Sequence, residues 1–176
     1  MKKLLALAVV ILGFTAVSFG QLTNTATGSA TANILTALTI EKKTTLDFGT
    51  IGAKTNTTVV VMSTGGSRTA GSTADLIATG AGAVGTFEIK GDPNSLIGIT
   101  FPSGVTNLAP VSGTAPAMTI DATSWVAKID AAADGKTGNI AASGITVLTV
   151  GATLNVGSSQ ASGVYNGTYN VTVNYN

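Results

Sequence analysis

No cysteine and no histidine occur among the 176 residues, and the chain has only four prolines, one tryptophan and one arginine. Without a thiol or an imidazole there is no Cys or His nucleophile, no Ser-His-Asp triad, no haem or iron–sulfur ligation and no zinc site of the nitrogen and sulfur type. Charge is scarce as well, at 10% of residues with nine basic against eight acidic. Glu41, Asp47, Asp75, Glu88, Asp92, Asp121, Asp130 and Asp134 are too scattered to nominate a carboxylate pair. Lys42-Lys43 is the only basic doublet beyond the first residues, which argues against nucleic acid or an anionic membrane surface as partner. Most enzyme readings leave with these absences, and the expectation is a protein that is not an enzyme and needs no cofactor or metal. What is present is 22 glycines, 44% hydrophobic residues and a length suited to one domain with a tail.

The one long apolar run lies at the start. Met1-Lys2-Lys3 supplies a positive n-region, Leu4 to Phe14 an apolar h-region, and Ser18 and Gly20 the small residues at −3 and −1 of a cleavage site, predicting a secretory signal peptide over 1–20. A retained membrane anchor is the alternative, with a run short for a span and no basic stop-transfer cluster after it. Losing Lys2 and Lys3 leaves seven basic against eight acidic residues, so the positive balance belongs to the leader. Export predicts passage through the periplasm to the cell surface.

Residues 21–33 carry no charge and no large apolar residue after Leu22. Ala26, Gly28, Ala30 and Ala32 nevertheless share one parity with Ile34, the period of an extended strand. The alternation strengthens over 34–40, which reads as a strand buried on both faces. Short runs follow between turn residues: Leu46 with Phe48, Val59 to Met62, Leu76-Ile77, Phe87 with Ile89, Ile97 to Phe101, Met118 with Ile120, Ile145 to Val150, and Leu154 with Val156. The last run puts Tyr165, Gly167, Tyr169, Val171, Val173 and Tyr175 on one face and Asn166, Thr168, Asn170, Thr172 and Asn174 on the other. Such segments, rich in Thr, Val and Ile, predict an all-β sandwich over 34–176. Only Ser124 to Ala133, with Trp125, Ile129 and Ala132, has a spacing open to a short helix.

Three features offer ligand chemistry. Asp130 to Asn139 sets oxygen donors among glycines that could hold Ca²⁺, but without the spacing of an EF-hand loop, and a plain surface loop is the favoured reading. Arg68 follows a Gly-Gly turn as a surface residue or a ligand contact. Trp125 suits packing or a sugar platform.

The stretches Leu46-Asp47-Phe48-Gly49-Thr50-Ile51, Phe87 to Asn94 and Gly163 to Tyr175 resemble the bacterial secreted family known as domain of unknown function 4402, itself similar to spore coat protein U and chaperone–usher pilins. Tyr175 is penultimate and Gly163 stands fourteenth from the end, as in the pilin C-terminal pattern. The resemblance implies an incomplete immunoglobulin-like, pilin-like β-sandwich whose missing strand comes from a periplasmic chaperone and then from the next subunit, with an outer-membrane usher as further partner. The chain departs from pilins in having no disulfide and in offering Ala and Gly where donor strands carry large residues.

On that basis Leu22, Ala26, Gly28, Ala30 and Ala32 are the expected donor residues, and Gly163, Tyr165, Tyr169, Val171, Val173 and Tyr175 the expected lining of the acceptor groove. Residues 21–33 also suit a disordered spacer or a strand completing its own domain. The expected function is an exported subunit of a surface fibre or coat, a homopolymer of copies of itself. A self-complete monomeric module binding glycan or matrix is the competing expectation, with Trp125, Arg68 and the 130–139 loop as its features.

Overall fold

Fourteen strands and no α-helix are found among the residues that the computed structural model describes, 24–52, 55–71, 75–76 and 80–176. None of these residues lies in a helix long and apolar enough to cross a membrane. The chain divides into two units, Met1–Asn33 and Ile34–Asn176. In the first, residues 24–33 form no strand and all are exposed, so the extended strand expected from Ala26 is not formed there. Methyl-sized side chains bury too little apolar area to hold a backbone extended without a partner. The expected leader and Leu22 lie outside the described residues.

The second unit begins with a correction. Ile34 is 90% exposed, and the first strand, β1 (Thr39–Thr44), starts only where Leu38 and Ile40 reach the core. The run 34–40 is therefore not a doubly buried strand. Then follow β2 (Ile51–Gly52), β3 (Thr58–Met62), β4 (Arg68–Ala70), β5 (Asp75–Leu76), β6 (Gly85–Lys90), β7 (Leu96–Thr100), β8 (Thr106–Pro110), β9 (Met118–Ile120) and β10 (Val126–Ile129). The chain continues through β11 (Thr137–Asn139), the twelve-residue β12 (Ile145–Val156), β13 (Tyr165–Asn166) and β14 (Thr172–Tyr175).

All pairings are antiparallel. A large curled sheet runs β1-β6-β12-β9-β8-β13, with β10 and β3 also on β12 and β4 on β3. A smaller sheet runs β11-β7-β14, and β2 pairs β5. Ile97 and Ile99 of the small sheet join Ile89, Leu148, Val150 and Leu154 of the large one in a single buried cluster, the layering of a β-sandwich. The long strand organises it. Its first half lies between β6 and β10, and its second between β3 and β9. Thr146, Leu148, Val150, Ala152, Leu154 and Val156 are all buried, an unbroken period of two that puts one face of the strand into the core along its length. Gly151 sits at the change of partners, where a Cβ would run into the Met62 carbonyl.

Residues 124–133 are not a helix. Trp125, Ala127 and Ile129 are 2%, 2% and 3% exposed, an alternation that seats β10 on β12 in the register Ala127 to Val150. Burial at period two outweighed the mild helical preference of the alanines. The C-terminal run is likewise not one strand. β13 pairs β8 of the large sheet, β14 pairs β7 of the small one, and the chain crosses between sheets over 167–170. Its parity survives the break, because Tyr165, Tyr169, Val171, Val173 and Tyr175 are half-buried and the alternate residues exposed.

Candidate functional site

A cleft of about 940 Å³ has its floor laid by Leu108 of β8, Met118 and Ile120 of β9, and Leu154 and Val156 of β12. Ile120, Leu154 and Val156 are at most 5% exposed, while Leu108 and Met118 are half-buried, so the floor is covered core with apolar surface open at those two side chains. Residues 45–51 form one wall and residues 160–169 the other. Among the described residues Asp47 is the only charged side chain that lines it.

The 45–51 wall is a loop fastened at several points. Leu46 and Ile51 pack on the core and Phe48 is buried, while Thr45, Asp47 and Thr50 are exposed. Asp47 exchanges main-chain hydrogen bonds with Ala83 at 2.8 and 2.9 Å, and its Oδ1 accepts the N–H of Gly49 at 2.8 Å. Gly49 takes φ +69°, and a Cβ there would collide with the Gly80 carbonyl, so the turn requires glycine. Arg68, at the start of β4, donates from Nη1 to the carbonyls of Phe48 at 2.8 Å and Thr50 at 2.9 Å.

The opposite wall is held from below. Gln160 is buried and donates from Nε2 to the Pro116 carbonyl at 2.5 Å. The Tyr165 hydroxyl donates to the Ala161 carbonyl at 2.8 Å, closing the loop before β13, and the N–H of Val111 donates to the Val164 carbonyl at 2.8 Å. Tyr169 plugs the end of the wall into the core. Its ring lies 4.6 Å from Trp125 and meets Phe87 edge-on at 6.2 Å, while Trp125 stacks on Phe101 at 5.5 Å. Burial pushes the Tyr169 phenol up to about 12, so it stays neutral at ordinary pH.

Three of the expected groove residues, Gly163, Tyr165 and Tyr169, line this cleft. Val171, Val173 and Tyr175 do not. They belong to the part of the chain that has crossed to the small sheet, where the Tyr175 hydroxyl accepts the N–H of Asp92 and donates to the Thr36 carbonyl, each at 2.7 Å. Of the expected donor residues, Ala26, Gly28, Ala30 and Ala32 are exposed and outside any strand. The floor residues and the role of Arg68 were missed. Alternation marked each floor position as apolar, but nothing in the chain connects positions 108, 118 and 154 to one another.

The ligand features fare differently. Trp125 is 2% exposed, which leaves no face for a sugar. Arg68 is neither loose on the surface nor aimed at a ligand, because it grips the wall. Asp130 accepts from the Thr146 hydroxyl and the Val147 N–H, and Asp134 accepts from the Thr64 hydroxyl at 2.5 Å, so both carboxylates serve the fold. Among the described residues no three His, Cys, Asp or Glu side chains gather into a metal cage. The cleft therefore offers shape, apolar surface and main chain, the elements of peptide recognition.

The comparison with curated proteins and that with solved structures each find no match. A family model described as a domain of unknown function, DUF4402, matches residues 38–175. That span runs from the last residue before β1 to the last residue of β14 and takes in both walls and the floor of the cleft, and the chain belongs to this family.

Proposed function

We propose that this protein is an exported structural subunit, with an immunoglobulin-like, pilin-like sandwich whose cleft accepts the extension 22–32 of a neighbouring copy, so that copies join into a surface fibre or coat. The observation that carries the reading is the open apolar cleft with, among the described residues, a single charged side chain in its lining. Left empty, such a cleft leaves Leu46, Leu108 and Met118 only half-buried, a liability that an added strand removes. The extension suits it: residues 22–32 are free of charge, alternate hydroxyl with small side chains from Thr25 onward, and are exposed wherever described. Four or five buried methyl-sized groups contribute about 3–4 kcal/mol at roughly 0.8 kcal/mol each. Main-chain pairing supplies the remainder. A periplasmic chaperone that shields the cleft and an outer-membrane usher that aligns subunits are the partners this route calls for.

Sedimentation of the purified chain, with and without residues 21–33, tests the reading. Polymers should form with rising concentration for the longer chain and vanish for the shorter. Polymerisation that survives the deletion, or a longer chain that stays monomeric at high concentration, refutes strand donation and favours the self-complete module.

A further inference from the structure

A glycine that follows an amide or acid side chain has chemical as well as conformational consequences. Its peptide nitrogen can attack the preceding side-chain carbonyl carbon, and with no Cβ it hinders that attack least. The chain contains one Asn-Gly pair, Asn166-Gly167, and one Asp-Gly pair, Asp134-Gly135. The fold treats them differently. The N–H of Gly135 donates to the Ala127 carbonyl at 2.8 Å and the Asp134 carboxylate accepts from the Thr64 hydroxyl, so nucleophile and electrophile are both held. The Asn-Ser pair at 94–95 is tied as well, by the N–H of Ser95 donating to the Asp92 carbonyl at 3.2 Å. At 166–167 the N–H of Gly167 and the carboxamide of Asn166 have no hydrogen-bond partner among the described residues, and both residues are exposed. β13 ends at Asn166, so the peptide that must turn follows the last rung of a two-residue ladder. The glycine is required by the fold, because a Cβ at 167 would run into the Asn107 carbonyl.

We propose that Asn166 is a site of spontaneous deamidation, and that the carboxylate it acquires weakens the cleft's hold on an uncharged segment, the second part resting on the strand-accepting reading above. The Gly167 nitrogen loses its proton to water and attacks Asn166 Cγ. The N–Cγ bond forms, the Cγ–Nδ2 bond breaks, and the amide nitrogen takes a proton from water and leaves as ammonia. Water then opens the five-membered imide at one carbonyl or the other, giving aspartate or isoaspartate. Both residues belong to the lining of the cleft, where Asp47 is the one charged side chain among the described residues. A new carboxylate there loses hydration when the cleft fills, and residues 22–32 carry no charge to compensate it. The isoaspartate product also lengthens the main chain at the rung that pairs Asn166 with Ala109.

Mass spectrometry of chymotryptic peptides from the folded full chain, sampled over weeks at mildly alkaline pH, tests the site. Asn166 should convert at least tenfold faster than Asn170, whose next residue is the branched Val171, and isoaspartate should be detectable by enzymatic methyl transfer. Asn166→Gln should abolish the conversion, because glutamine must close a six-membered ring. Conversion at 166 no faster than at Asn170 overturns the proposal and leaves strand acceptance standing. The consequence is read by titrating a fluorescent 22–32 peptide onto the dilute chain and onto Asn166→Asp, which should bind at least threefold more weakly. Equal affinities overturn the second part. If neither chain binds the peptide, the strand-accepting reading falls together with that second part, and the conversion at 166 is decided by the peptide map alone. Should Asn166→Asp not fold, the chain converted by incubation and separated by ion exchange reads the same titration.

Discussion

Trp125 shows how much one residue carries here. It is 2% exposed, stacks on Phe101 and touches Tyr169, yet its indole N–H has no hydrogen-bond partner among the described residues. Removing the ring opens a cavity, and Trp125→Ala should cost about 3–5 kcal/mol in urea unfolding. Trp125→Phe should cost clearly less, because it keeps most of the stacking and removes a buried donor worth about 1–3 kcal/mol when unpaired. Equal losses in the two variants would show that the N–H is satisfied. Tyr169 has a pH signature. Its phenol is raised from 10.0 to about 12 by burial, so the folded state holds the proton where the unfolded state has lost it. Stability is then fully present below pH 10 and falls as pH rises from 10 to 12. Tyr169→Phe should lack that part of the alkaline decline, measured as the difference between the two unfolding curves, and an unchanged decline would assign it to other groups.

At the scale of elements, the edges of the sheets are treated unequally. β1 is an edge strand of sequence Thr-Ile-Glu-Lys-Lys-Thr, and Lys43 lies 2.8 Å from Glu41 and 3.4 Å from Glu88, with Lys90 3.1 Å from Glu88. The Glu41 hydrogen bond holds the Lys43 ammonium above its ordinary value, and the Lys90 hydrogen bond holds the Glu88 carboxyl below its own. These pairs are open to solvent and add little to stability. Their effect is to keep a free edge from pairing with another molecule. The wall at 167–170 and strands β13 and β14 carry no charge at all. Replacing Glu41 and Lys43 by Val should therefore produce light-scattering aggregates that form equally well without residues 21–33. A soluble double variant would show that the charges do not guard this edge. The strands themselves were largely readable from alternation, and β12 shows it best, with every second residue from Thr146 to Val156 buried. A short helix at 124–133 was left open by the sequence because a ten-residue window of Ala, Lys and Asp hides an alternation of only three residues, Trp125, Ala127 and Ile129. The break at 167–170 was invisible for a related reason: parity continues across it, and parity does not say which sheet a segment joins.

For the whole molecule, one buried cluster spans both sheets, so residues 34–176 should unfold in a single transition with calorimetric and van't Hoff enthalpies equal. Residues 24–33 are exposed throughout, and removing 21–33 should leave the melting temperature of the dilute chain unchanged. A two-step transition, or a melting temperature lowered by the deletion, would mean that the extension completes its own domain. The sequence by itself determined that this is an all-β protein, that its apolar residues alternate along short strands, and that cysteine and histidine chemistry is excluded. Those follow from local causes, the two-residue period of an extended backbone and the identity of the side chains. Only the tertiary structure decided that β12 would serve four neighbours, that the C-terminal run would divide between sheets, and that positions 46, 108, 118, 154 and 165 would meet around one cleft. Strand edges are nearly equivalent in what their backbones offer, so partner choice is settled by which arrangement buries the most apolar surface at once, a property of the whole chain and of no segment in it.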